Sequence, residues 1–216
     1  PSFANSSVGA SLSTETGSGR SGNISSEFGV GDLFVQPLWL GWSLTNWDFA
    51  LRYGNRLDGL ALVGTSAAAE ELVRAAEIRT LARLIQVTGQ PRLLAREASR
   101  AAFSVGFRES NSALVARWES TVRAMSNPGL IHALRAVAGR QSLLERLGEI
   151  QVPTVVVTGG ADRVVKPRWS REMHRRLRRS RLITYPGVGH AVPTERPTEV
   201  AALLRGLRAG TLPRDK

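Results

Sequence analysis

The sequence predicts an α/β fold built on a mainly parallel sheet, and three observations point there. Short apolar, β-branched runs alternate with helix-length stretches along most of the chain. Glycine follows these runs closely, at Gly41, Gly64, Gly159-Gly160 and Gly187. Two of the closures, late in the chain, deliver an aspartate, Asp162, and a histidine, His190. Alternating strand and helix is the signature of βαβ units, whose strands pair in parallel beneath covering helices. With 216 residues, 42% of them hydrophobic, the chain is long enough for one packed domain with an inserted lobe.

Taken in order, residues 1–30 hold nine Ser and five Gly, little aliphatic material and no periodicity. They read as an irregular lead-in. Gly17-Ser18-Gly19-Arg20-Ser21-Gly22 matches the dinucleotide fingerprint only formally, because no strand precedes it and no helix-forming run follows. Leu33–Leu40 is the first strand candidate, and a turn through Gly41-Trp42-Ser43-Leu44-Thr45 leads to a short helix near Trp47–Tyr53. Leu57–Val63 is the next buried strand, ending at Gly64-Thr65-Ser66.

Helices are expected near Ala69–Val87, Pro91–Ser104, Asn111–Met125 and Pro128–Val137. In the first, Leu72, Ala76, Leu81, Leu84 and Ile85 set the amphipathic spacing. Pro128 suits a first helical position, since its missing N–H would have no partner there. A shorter helix near Gln141–Leu147 returns the chain to a strand at Val152–Thr158, which closes on Gly159-Gly160 and Asp162. A helix over Pro167–Arg179, a strand at Leu182–Tyr185, the glycine-framed Gly187-Val188-Gly189-His190 and a closing helix over Pro197–Leu207 complete the pattern.

A serine hydroxyl is a poor nucleophile unless a neighbouring base takes its proton as it attacks. Imidazole titrates near neutral pH and can be that base, and a carboxylate can fix its tautomer and stabilise the imidazolium that forms. Ser43, Asp162 and His190 each follow a predicted strand. In a parallel sheet that brings their loops to one carboxyl edge. Asp162 is also a natural turn former after two glycines. His132 and His174 fall inside predicted helices with no partner by spacing, so surface or cap packing is expected of both.

On these residues and their chain order, positions 33–209 resemble the α/β-hydrolase fold superfamily, in particular its small capped esterase, lactonase and peptidase-like members. The resemblance implies a mainly parallel sheet of α/β-hydrolase type, N-terminally truncated, with a helical cap insertion. Residues 31–68 and 148–210 would form the core and 69–147 the cap. It further implies a Ser43–His190–Asp162 triad acting through an acyl-serine intermediate on a small-molecule ester or lactone, with no metal and no cofactor. The backbone N–H of Leu44 would serve the oxyanion hole, and Trp42 and Trp118 would contact substrate. Trp47, Phe103 and Phe107 share that apolar region, where core packing is the competing role.

The sequence departs from the family pattern at three places. Thr45 stands where the nucleophile turn usually has its second glycine, and the helix after Ser43 is about one turn short. No His-Gly oxyanion motif occurs in residues 1–30. These departures suit an alternative, a catalytically inactive truncated relative acting as a binding protein. Truncation would also leave Leu33–Leu40 at a sheet edge, where Pro37 is tolerated and where self-association is expected.

Composition limits the partners. Arg supplies 27 of the 29 basic residues, and the formal net charge is +11. The arginines spread through every predicted helix, and their one cluster, Arg168 to Arg181, reads as a solvated helix face. Neither nucleic acid nor membrane is expected as a partner. With no cysteine, no disulfide framework or thiol nucleophile exists. No apolar run reaches the roughly 20 residues of a membrane span, and no signal core is evident, so a cytoplasmic protein is expected.

Overall fold

A computed structural model describes residues 59–89, 92–125 and 127–211. The lead-in, the strand at 33–40 with its expected edge, the Ser43 turn, the helix after it and the tail beyond 211 lie outside the described residues.

Among the described residues, three parallel strands, β1 (Leu60–Val63), β2 (Thr154–Gly159) and β3 (Ser180–Tyr185), lie side by side in chain order. Leu60 pairs with Thr154 and Thr154 with Ser180, so the strand ends that carry the loops to Gly64, Asp162 and His190 are level. All of β2 is buried, which explains its unbroken Val155-Val156-Val157: a strand covered on both faces has no polar side to show. Alternation divides the core. Leu60, Leu62 and Val156 face one side with Leu147, Ile150, Met173 and Leu177. Val155 and Val157 face the other with Val188, Val192, Val200, Leu203 and Leu207.

Five helices fill the chain between β1 and β2: α1 (Leu72–Thr88), α2 (Arg92–Ala102), α3 (Val105–Ser110), α4 (Ser112–Ala124) and α5 (Asn127–Gly139). A 3₁₀ helix at Leu144–Glu149 follows, then β2, α6 (Pro167–Arg176), β3, the short α7 (Val192–Glu195) and α8 (Pro197–Arg208). The 3₁₀ helix and α6 cover one face of the sheet, while α7 and α8 cover the other. None of the described helices is long and apolar enough to cross a membrane.

Several sequence expectations are corrected here. The buried stripe of α1 is Ala75, Ala82 and Ile85, whereas Leu72 is 87% exposed and Leu84 56%. Alanines let α1 lie close along α5, where Ala82 and Ile85 meet Leu130 and Ile131, and this contact sets which face is buried. The helix expected near Gln141–Leu147 is 3₁₀ and spans Leu144–Glu149, closed by an i+3 bond from Ile150 N–H to Leu147 C=O (3.1 Å). α6 stops at Arg176, three residues early, because Leu177 turns extended to enter β3. β3 starts at Ser180, and its half-buried residues tolerate the polar Ser180 and Arg181. α3 was hidden by Val105 and Gly106, both poor helix formers, although Ser104 caps it by accepting from Phe107 N–H at 3.2 Å.

Arg168, Arg175 and Arg176 of α6 meet acids. Glu172 pairs with Arg175 (2.7 Å) and Arg176 (2.6 Å), and Glu145 pairs with Arg176 (2.6 Å). Hydrogen bonding from Arg176, and then its charge and that of Arg175, holds the Glu172 carboxyl below its ordinary range. Arg168 pairs with Glu71 beyond the helix. His174 has a partner after all: its Nδ1 lies 2.8 Å from Ser180 Oγ, across the α6–β3 turn.

Met173 is fully buried between α6 and the sheet. Met173→Ala is expected to cost about 2–5 kcal/mol through lost transfer energy and a residual cavity. Urea unfolding monitored by circular dichroism will measure it, and an unchanged midpoint would contradict this view of the core.

Candidate active site

The site is built where β1, β2 and β3 end together. After β2, the chain turns through Gly160 and Ala161, whose N–H groups donate to Tyr185 C=O (2.8 Å) and Val188 C=O (2.9 Å). The loop after β2 is thereby bound to the loop after β3. Asp162 follows, 5% exposed overall and with its side chain fully buried. Its Oδ1 accepts from Val164 N–H (2.8 Å) and Val165 N–H (2.9 Å), and its Oδ2 lies 2.9 Å from His190 Nδ1. Turn former and histidine partner are therefore both correct descriptions of Asp162. The two backbone donors fix the carboxylate, and the carboxylate fixes the ring.

A buried carboxylate is costly unless its oxygens are hydrogen-bonded, and these are. A carboxylate can only accept, so Nδ1–H is the donor in this bond and Nε2 is the ring nitrogen turned away from Asp162. The His190 side chain is 10% exposed. Gly64, at the end of β1 with φ +57°, faces it: a Cβ there would come 3.0 Å from His190 C=O and 3.4 Å from the ring. Gly159 permits an even closer approach. A Cβ at that position would fall 2.8 Å from the Val188 carbonyl carbon, and nearer still to two carbonyl oxygens.

Beside the histidine loop stands an apolar cluster of Ala102, Phe103 and Val115, with Phe107, Trp118 and Ala191 packed against it. Phe103 stacks on Phe107 at 5.4 Å between centroids and meets Trp118 edge-on at 5.3 Å. Trp118 and Ala191, the residue following His190, thus pack against the same cluster, which is anchored by a nearly fully buried Phe103. Tyr185, at the end of β3, has its phenol pushed up by burial, with Glu199 adding to the effect and Arg196 opposing it.

The structure therefore brings together two of the sequence-derived site residues, Asp162 and His190, and sets Trp118 nearby. Ser43, Leu44 and Trp42 lie outside the described residues. No grouping of three or more His, Asp or Glu able to hold a metal occurs among the described residues. Sequence reasoning missed Ser104 and Glu195, which bind to each other beside the histidine loop. The available signals were a serine at a helix start and an acid five residues beyond His190.

Three parallel strands, helices inserted between β1 and β2, and an Asp–His pair on the loops after β2 and β3 define an α/β-hydrolase fold. The family described as serine aminopeptidase, S33, matches residues 43–197, and the chain belongs to it. Among solved structures, a thermophilic esterase from Thermogutta terrifontis superposes with a TM-score of 0.69 at 23% identity, covering 76% of this chain and 60% of that one. The enol-lactonase from Burkholderia xenovorans LB400 gives 0.68 at 20% identity, with 77% and 62% covered. At such identities the likeness is one of fold. A pimeloyl-[acyl-carrier protein] methyl ester esterase of Neisseria meningitidis serogroup A is 33% identical over 85 residues. That stretch is 39% of this chain and 27% of that protein, so the match spans about a quarter of the curated relative.

Proposed function

We propose that this chain hydrolyses a carboxylic ester or lactone through an acyl-serine intermediate. Ser43 is the nucleophile, His190 the general base and acid, and Asp162 the group that orients and stabilises the imidazole. One observation carries the proposal: the 2.9 Å Nδ1–Oδ2 bond between His190 and Asp162 on adjacent loops at the carboxyl edge of a parallel sheet. Family membership and the chain order Ser, Asp, His support it.

In this reading Ser43 Oγ attacks the acyl carbon while His190 Nε2 takes its proton. The positive imidazolium sits against the buried Asp162 carboxylate. The Leu44 N–H stabilises the oxyanion, and collapse of the tetrahedral adduct passes the proton from His190 to the leaving alkoxide. Water, deprotonated by the same nitrogen, then releases the acid and restores the serine. The helices of residues 69–147 act as a cap, and Trp42 and Trp118 hold the apolar acyl part. The named activities of the similar proteins, a methyl ester esterase and an enol-lactonase among them, fall within the same substrate range.

A panel of p-nitrophenyl esters and γ- and δ-lactones will test this on the wild-type chain and on Ser43→Ala. Turnover is expected for the first and a loss of on the order of 10⁴ or more for the second. A folded wild-type chain that turns over none of them would overturn the proposal and favour the binding-protein alternative.

A further inference from the structure

We infer that Glu195 is a positioning residue that latches the α2–α3 turn onto the loop carrying His190. Three donors converge on its carboxylate. Oε1 accepts from Ser104 N–H (2.8 Å) and Gly189 N–H (3.1 Å), while Oε2 accepts from Ser104 Oγ–H (2.6 Å). A second link runs parallel, because Ala191 N–H donates to Ala102 C=O at 2.9 Å. Both residues beside the histidine are therefore tied through their N–H groups to one turn of the helical lobe: Gly189 through Glu195 and Ala191 directly.

Two constraints then fix the imidazole. Asp162 holds its Nδ1, and the latch holds the backbone from which the ring projects. Hydrogen bonds to an ionised acceptor are short and strong, so a carboxylate gathering three donors is a stiff clamp. The turn it grips is already shaped for the purpose, since Ser104 Oγ accepts from Phe107 N–H while donating to Glu195. Phe103 and Phe107 flank Ser104 within the aromatic group that Ala191 also joins. An acyl group pressing on those rings would act on the same turn and, through Glu195, on the histidine loop.

The inference rests on the reading of His190 as the catalytic base, but its test separates the two. Glu195→Ala, Glu195→Asp and Glu195→Gln would be made in the full chain and checked by circular dichroism and thermal unfolding. Gln keeps an oxygen for both N–H groups, and its amide can donate to the Ser104 hydroxyl. Asp is one methylene too short to reach Ser104 and Gly189 together.

Loss of the latch is expected to lower kcat on p-nitrophenyl acetate by about tenfold to a hundredfold in Ala and Asp, as misplacement by up to an ångström does. KM should change little, and Gln should restore most of the rate. The His190 imidazole, one of only three histidines, can be followed by long-range ¹H–¹⁵N spectra assigned with His190→Ala. Its signals should move toward a tautomer mixture in Ala and Asp and stay in place in Gln.

Folded Glu195→Asp with wild-type kcat and wild-type His190 signals would overturn the inference, as would Glu195→Gln behaving like Glu195→Ala. If Glu195→Ala does not fold, the Asp and Gln pair decides. Should the wild type hydrolyse no ester, the proposed function fails, and the imidazole spectra alone judge the latch.

Discussion

His190→Ala is expected to slow ester turnover by on the order of 10⁴ or more while leaving the fold intact. Its side chain is mostly buried, but its loop is also held through backbone bonds at Gly189 and Ala191, which the substitution leaves in place. Asp162→Asn should approach the same loss by another route. An amide nitrogen facing Nδ1 would favour the wrong tautomer and leave Nε2 protonated, a change worth about 10⁴ where such an aspartate is essential. Combining the two should cost little more than His190→Ala alone, because the pair acts as a unit. Stability separates them: Asp162→Ala also strips the acceptor from Val164 and Val165 N–H, so it should melt well below His190→Ala. Steady-state kinetics on p-nitrophenyl acetate with parallel melting curves provide the measurement. Additive losses would show that the two residues do not act together.

Gly159→Ala is expected to destabilise the chain by about 3 kcal/mol or more, at the upper end for overpacking. The added methyl would run into the carbonyls of Val188 and Gly189, which are backbone atoms and cannot swing aside as a side chain does. Val188 C=O is also held by Ala161 N–H, so giving way would break the bond joining the two site loops. Any folded fraction should then hold His190 away from Asp162 and be inactive. Urea titration of the variant checks the first expectation, and specific activity of the soluble fraction checks the second. A variant as stable and active as wild type would show that the loop can retreat.

The parts of the fold visible in the sequence were those set by local chemistry. A strand buried on both faces must be apolar throughout, so Thr154–Gly159 announced itself, and Gly159-Gly160 marked its end. Asp162 and His190 stood out because each follows such a strand. The misread elements were those decided by a neighbour. Leu72 and Leu84 looked like core until α5 selected the alanine side of α1. His174 had no partner by helical spacing because Ser180 reaches it only across the turn. Glu195 was visible only as an acid five residues beyond His190, and its role was not, since Ser104 lies far away in sequence and meets it only through folding. Pro197-Thr198-Glu199 opens α8, as the closing helix expected from Pro197 onward requires.

The central claim is that Ser43, His190 and Asp162 form one working nucleophilic site, and covalent trapping tests it most directly. The folded chain would be treated with a fluorophosphonate and the adduct located by peptide mass spectrometry, with His190→Ala treated in parallel. The account predicts a single adduct on Ser43 in the wild type and almost none in His190→Ala. A folded wild-type chain without an adduct, or with one that forms equally well without His190, would contradict it.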